Sequence, residues 1–177
     1  MKIGILGGGR VGGALALAWQ TAGHDVTVST RETVAGTAAD ADVLLLAVPC
    51  TAAADVLASA GDLTGKVLID ATNNLSGGPA GAEIAAMAPG AHPVKAFNTV
   101  FAQFFADPPE VPPTLVFAGD DSGAKETVAE LIRAAGFEPV DAGDHDRAAD
   151  LEAFARLVIG IAYKQGRGPF VYRFGDR

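Results

Sequence analysis

Apolar residues in this chain fall into short continuous runs separated by stretches with helical spacing. The runs at 2–6, 25–29, 43–48, 67–70, 94–97, 114–118 and 138–141 read as strands. The run 43–48 is apolar at every position, as expected of a parallel strand covered on both faces, and Pro49 ends it. Between the first two runs, Val11, Leu15, Ala18, Trp19 and Ala22 recur on one helical face, and Gly23 supplies the stop. Further helices are predicted over 51–60, 82–87 and 123–135, the last capped by Asp121 or Ser122. A final helix over about 146–163 follows from Leu151, Phe154, Ala155, Val158, Ile161 and Ala162. After a bend at Gly166 and Gly168, the alternation Phe170, Tyr172, Phe174 predicts an edge strand or a tail laid over apolar surface. Strand and helix alternate throughout, so the expected architecture is α/β: a doubly wound, mostly parallel sheet with helices on both faces, one domain spanning 1–177.

The first strand runs directly into Gly7, Gly8, Gly9, Arg10, Val11 and Gly12, a Gly-x-Gly-x-x-Gly fingerprint with a strand before it and a helix after it. That context makes the domain Rossmann-type. Gly7 makes the tight turn, Gly9 lets the backbone approach a pyrophosphate, and Gly12 lets the helix pack closely on the sheet. The phosphates would be held by backbone N–H groups and the positive end of the helix. About 20 residues on, an NAD-binding unit would carry a carboxylate for the adenosine ribose. This chain has Thr30 and Arg31 there. A hydroxyl beside a guanidinium matches phosphate oxygens, so the expected cofactor is NADP(H), with both residues on the 2′-phosphate. Glu32 is expected to face solvent in the first turn of the following helix.

Composition narrows the alternatives. A hydrophobic fraction of 49% over 177 residues allows a proper core and excludes disorder. No apolar stretch reaches the ~20 residues a membrane helix needs, and a strand beginning at Lys2 leaves no room for a secretory leader, so a cytoplasmic protein is expected. The net charge of −8 argues against nucleic acid or an anionic membrane as partner. A single cysteine, Cys50, has no internal disulfide partner, and no Cys/His spacing suggests a metal site.

Ligands of an open parallel sheet sit beyond the carboxyl ends of its strands. Val48, Pro49 and Cys50 leave the third strand there and would line the ribose and nicotinamide side, with Cys50 acting as small packing rather than as a nucleophile. Asn73 and Asn74 leave the fourth strand, and Asn98, Thr99, Val100 and Phe101 leave the fifth. Asn73 would face the cofactor. Asn98 or Thr99 would fix the nicotinamide carboxamide or the acceptor's carbonyl, and Val100, Phe101 and Phe104 would form an apolar wall for a flat acceptor. Asn73 and Asn98 as helix caps, and the phenylalanines as plain core, are the competing readings. His24, His92 and His145 read as structural, and Lys95, the nearest proton donor, is expected to point toward solvent or a carboxylate. The absence of an acid/base couple fits direct hydride transfer, in which positioning the reacting carbons within about 3–3.5 Å supplies most of the rate.

The opening Ile5, Leu6, Gly7, Gly8, Gly9, Val11, Gly12, together with Thr30–Arg31, Val48–Pro49, Asp70–Asn73, the run Val94–Thr99, Gly119–Asp121, Asp141–Gly143 and Leu151–Glu152, resembles the coenzyme F420-dependent NADP oxidoreductases. The resemblance covers nearly the whole chain. It implies hydride transfer between NADP(H) and a deazaflavin, coenzyme F420, with a flavin as second choice, and no separate catalytic domain. The small domain and the absence of a lid over the acceptor predict a homodimer acting on a small-molecule redox acceptor. A non-catalytic NADP-sensing module, or an NADPH-dependent reductase of a small carbonyl or imine, are the alternatives.

Overall fold

In the computed structural model, which describes residues 1–75 and 81–175, the apolar runs become one seven-stranded sheet of order β2-β1-β3-β4-β5-β6-β7. The strands are β1 (Lys2–Leu6), β2 (Asp25–Val28), β3 (Val43–Leu46), β4 (Val67–Asp70), β5 (His92–Lys95), β6 (Thr114–Gly119) and β7 (Glu138–Asp141). Strands β1 to β5 are parallel, while β6 runs antiparallel to β5 and parallel to β7. Strand order reverses at β1, which has β2 on one side and β3 on the other. The carboxyl ends of β1 and β3 therefore flank a crevice.

Among the described residues seven helices cover the sheet: α1 (Arg10–Thr21), α2 (Val34–Asp40), α3 (Ala53–Ala60), α4 (Gly81–Met87), α5 (Gln103–Ala106), α6 (Ser122–Ala134) and α7 (Ala148–Ile159). The period of two along β3 decides which layer each side chain joins. Val43 and Leu45 pack with Leu15 and Trp19 of α1 and Leu131 of α6, whereas Leu44 and Leu46 pack with Ala38, Leu57 and Ile84 on the other face. Trp19 is fully buried, donates its indole N–H to the Leu131 carbonyl at 2.9 Å and meets Phe97 edge-on at 5.6 Å. The fold is thus the Rossmann-type, doubly wound α/β arrangement that the pattern predicts.

Several boundaries move for identifiable reasons. β5 ends at Lys95 rather than Phe97, because Phe97 adopts φ 64°, the one non-glycine residue with positive φ among the described residues. It begins at His92, which pairs with the first residue of β4. Glu32 precedes α2 in a turn rather than sitting inside the helix, and α5 is too short to leave a periodic signal. Asp121 caps α6 by accepting a hydrogen bond from the Ala124 N–H at 2.7 Å. The long C-terminal helix divides into a 3-10 turn (His145–Arg147), α7 and a π-helical turn (Gly160–Lys164). Residues 168–175 form no strand. They are a strap in which the Tyr172 carbonyl accepts from Thr114 N–H at 3.0 Å and Thr114 Oγ1 accepts from Phe174 N–H at 2.9 Å.

Because β6 and β7 run against the other strands, the helix after β7 travels back toward the carboxyl ends of β1–β5. This topology brings the end of α7 and the strap to the same edge as the fingerprint.

Candidate functional site

At that edge the fingerprint shows a division of labour among its glycines. Gly7 has φ +117°, and a side chain there would meet the Ala47 carbonyl and Val48. A Cβ on Gly12 would run into the Gly7 carbonyl oxygen, so only glycine lets α1 start this close to β1. A Cβ on Gly9 would meet nothing within 4 Å, which leaves an open approach to the backbone. Gly9 also precedes the first turn of α1, which has no side-chain cap and no acidic residue. An uncapped helix start beside open backbone suits an anionic phosphate group.

Beyond β2, Thr30 and Arg31 are exposed. Thr30 donates its N–H to Thr33 Oγ1 at 2.8 Å and its hydroxyl to Glu32 Oε2 at 2.7 Å. The Thr30 hydroxyl, aided by the Glu32 backbone, holds the Glu32 carboxyl below its ordinary pKa, with Arg31 adding a smaller push the same way. Glu32 is therefore exposed, as expected, but its carboxylate turns back on Thr30. Arg31 forms no hydrogen bond or ion pair among the described residues.

A cleft of about 740 Å³ opens beside the fingerprint. One wall carries Arg10, Val11 and Pro49, then Asn73 and Asn98 with Thr99, Val100 and Phe101. The opposite wall is Ala155, Val158, Ile159 and Tyr163, from α7 and the π-helical turn. Asn73 Nδ2 donates to the Asn98 carbonyl at 2.7 Å, and Asn98 Nδ2 donates to Asn73 Oδ1 at 3.0 Å. The two asparagines thus clamp the loops after β4 and β5 together and cap no helix. Asn98 Oδ1 is buried without a partner. Thr99 Oγ1 and the Tyr172 hydroxyl share a 2.6 Å hydrogen bond, and burial raises the Tyr172 pKa to about 12. Phe101 meets Tyr163 edge-on at 5.7 Å and Phe170 at 6.2 Å, and the Arg167 guanidinium lies 5.0 Å from the Phe170 ring centre.

Some expected residues lie elsewhere. Val48 and Cys50 are half-buried against the core under α3, and of the 48–50 turn only Pro49 reaches the cleft. Phe104 packs into the core under α1. In α5 the i, i+3 pair Gln103 and Ala106 faces the cleft and turns Phe104 away. His24, His92 and His145 are all outside the cleft walls. Lys95 is completely buried and bonds two carboxylates, Asp70 and Glu152, rather than solvent. Sequence reasoning missed the wall from α7, Tyr163 above all, and the tie from Thr99 to the strap. Ala155 and Val158 were legible as an apolar helical face, but not as a wall of the cleft.

Residues 2–38 and 30–74 match the family described as NADP oxidoreductase, coenzyme F420-dependent. A solved structure from Arthrobacter sp. FB24, provisionally assigned as an F420-dependent NADP reductase, is 27% identical with a TM-score of 0.89 and covers 99% of this chain and 100% of its own. Metalloreductase STEAP3 of Rattus norvegicus is 31% identical over an alignment of 174 residues that covers 86% of this chain. This chain spans only 36% of that relative's length. A reductive aminase from Aspergillus terreus, solved with NADPH and ethyl levulinate, shares the fold at 19% identity and TM-score 0.74 over 94% of this chain and 62% of its own. The chain is similar to the F420-dependent NADP oxidoreductases, as the residues quoted above imply. No helix among the described residues is long and apolar enough to cross a membrane.

Proposed function

We propose that this chain is an NADP(H)-dependent oxidoreductase that passes hydride between the nicotinamide and a flat redox acceptor, coenzyme F420 first and a flavin second. The observation that carries the reading is the cleft itself. It begins at Arg10 and Val11 of the fingerprint, offers amide and hydroxyl groups on one side and an aromatic and aliphatic wall on the other, and its described lining contains no carboxylate, histidine or lysine. Similarity to the F420-dependent family supports the same reading.

In this reading Gly7, Gly8, Gly9, Arg10, Val11 and Gly12 hold the pyrophosphate, and Thr30 and Arg31 take the 2′-phosphate. Thr30 does so only after its hydroxyl leaves Glu32. Pro49 and Asn73 bound the nicotinamide side. Bound NADPH supplies the hydride. The chain's own contribution is to orient both rings: the Asn73–Asn98 clamp and Thr99 fix polar edges, while Val100, Phe101 and the α7 wall exclude water. Val48 and Cys50 support the turn from behind.

Oxidation of NADPH, followed with F420 or with FMN as acceptor, tests the proposal. Turnover with either supports it. Tight NADPH binding without turnover would favour a sensing module. A carbonyl or imine reductase on this scaffold would need a proton, and Tyr163 is the one phenol on the cleft wall. Reduction of small ketones or imines that is lost in Tyr163→Phe would favour that reading instead. We further propose a cytoplasmic homodimer in which a second copy covers the exposed Leu157 and Tyr163 beside the cleft; a monomeric mass at micromolar concentration would overturn the dimer.

A further inference from the structure

We propose that Lys95 is a positioning residue for the cleft, a buried ammonium that ties three separately folded parts of its walls into one geometry. Lys95 is the last residue of β5 and lies on the sheet face opposite Val94, beneath α7. Its Nζ uses all three donors: Asp70 Oδ2 at 2.9 Å, the Thr72 carbonyl at 2.7 Å and Glu152 Oε1 at 2.8 Å. Lys95 and Asp70 are wholly inaccessible and Glu152 is 1% exposed.

Each partner leads directly to a cleft wall. Asp70 Oδ1 accepts the Thr72 N–H at 2.9 Å, so Thr72 is held at its N–H by Asp70 and at its carbonyl by Lys95. The next residue is Asn73, half of the asparagine clamp. Lys95 itself stands three residues before Asn98, the other half. Glu152 is on α7, and Ala155 and Ile159 follow on the same helical face and line the opposite wall. The ammonium therefore sets how far the α7 wall stands from the strand-end wall. A buried ion cluster is a weak device for stability alone, since apolar groups of similar volume often do as well or better. Its directional bonds make it a precise spacer, and Lys95 itself is absent from the lining.

The fingerprint and the Thr30–Arg31 turn, proposed to hold the phosphates, share none of these bonds. Glu152→Leu severs the α7 tether while keeping an apolar side chain on the helix, and Glu152→Gln retains an acceptor for Lys95. In Glu152→Leu, amide hydrogen exchange at 72–74 and 155–159 should quicken by about tenfold. The NADPH dissociation constant should stay within about twofold, and kcat per folded molecule with F420 or FMN should fall roughly ten- to hundredfold. Glu152→Gln should recover most of both losses, which a merely structural role would not produce at temperatures where all variants are folded. Unchanged exchange at 72–74, or NADPH binding lost in step with kcat, overturns the proposal. The kinetic arm rests on the function proposed above. If the unaltered protein turns over neither acceptor, that function is what fails, and exchange together with its recovery in Glu152→Gln decides the role of Lys95.

Discussion

The two ends of the crevice are built in opposite ways. The fingerprint end is one consecutive stretch, Leu6 to Gly12, whose shape comes from backbone conformation: a positive φ at Gly7, open space at Gly9, close helix packing at Gly12. The far end, proposed above for the acceptor, is assembled from residues 73–75, 98–106 and 155–163, with Tyr172 of the strap behind it. Its geometry depends on side chains meeting across the sheet: Asn73 with Asn98, Thr99 with Tyr172, Lys95 with Glu152. A local site is set once its strand and helix form. A dispersed one needs every tie in place, and each tie is a point at which its shape can change while the glycine turn stays as it is.

The sharpest way to break this contrast is Lys95→Met. It leaves two buried carboxylates without their common partner, and a loss of about 3–5 kcal/mol in denaturant unfolding is expected. Gly12→Ala attacks the other end, because the added Cβ collides with the Gly7 carbonyl, which is backbone and cannot rotate away. Equilibrium unfolding should show a loss toward the upper end of the ~1–3 kcal/mol typical of overpacking, and NADPH titration should show binding abolished with it. Arg31→Ala leaves the fold alone. Loss of a charge-assisted contact worth about 1.5–3 kcal/mol should weaken NADPH binding roughly ten- to hundredfold while leaving NADH little changed. Equal loss for both cofactors would contradict the assignment of Arg31 to the 2′-phosphate.

The smallest effect is expected from Tyr172→Phe, which removes the hydroxyl partner of Thr99 at a cost of about 1 kcal/mol. It also has a pH signature. The phenol titrates at about 12 in the folded chain against an ordinary value of 10.0, so the folded state holds this proton more tightly than the unfolded one. The contribution is intact below pH 10 and is lost as the pH rises toward 12. The stability difference between the unaltered chain and Tyr172→Phe should shrink across that window and be flat below it. A flat difference throughout would place the phenol in solvent.

Much of the scaffold could be read before any tertiary structure was known, because strands and the fingerprint are local patterns. β1, β4 and β7 have the limits that the apolar runs predict, and Asp121 is one of the two capping residues expected for α6. The misreadings fall where distant residues decide. Phe97 looks like strand, but its left-handed backbone ends β5 and directs Asn98 toward Asn73. Cys50 follows the end of β3 and Phe104 lies in α5, and both turn toward the core. Lys95 meets one of its two expected neighbours, a carboxylate, but only the fold shows that Asp70 and Glu152, 57 residues on, are the ones that bury its charge.

The sequence by itself determined the α/β layering and the glycine-rich turn between β1 and α1. Alternation of period two, helical spacing and glycines without Cβ atoms act over a few residues and need no distant partner. The cleft beside that turn was decided only by tertiary structure. The antiparallel β6 and β7 return α7 to the fingerprint edge, and that helix's distance from the strand ends is set by a buried ammonium gripping a carboxylate from the far end of the chain.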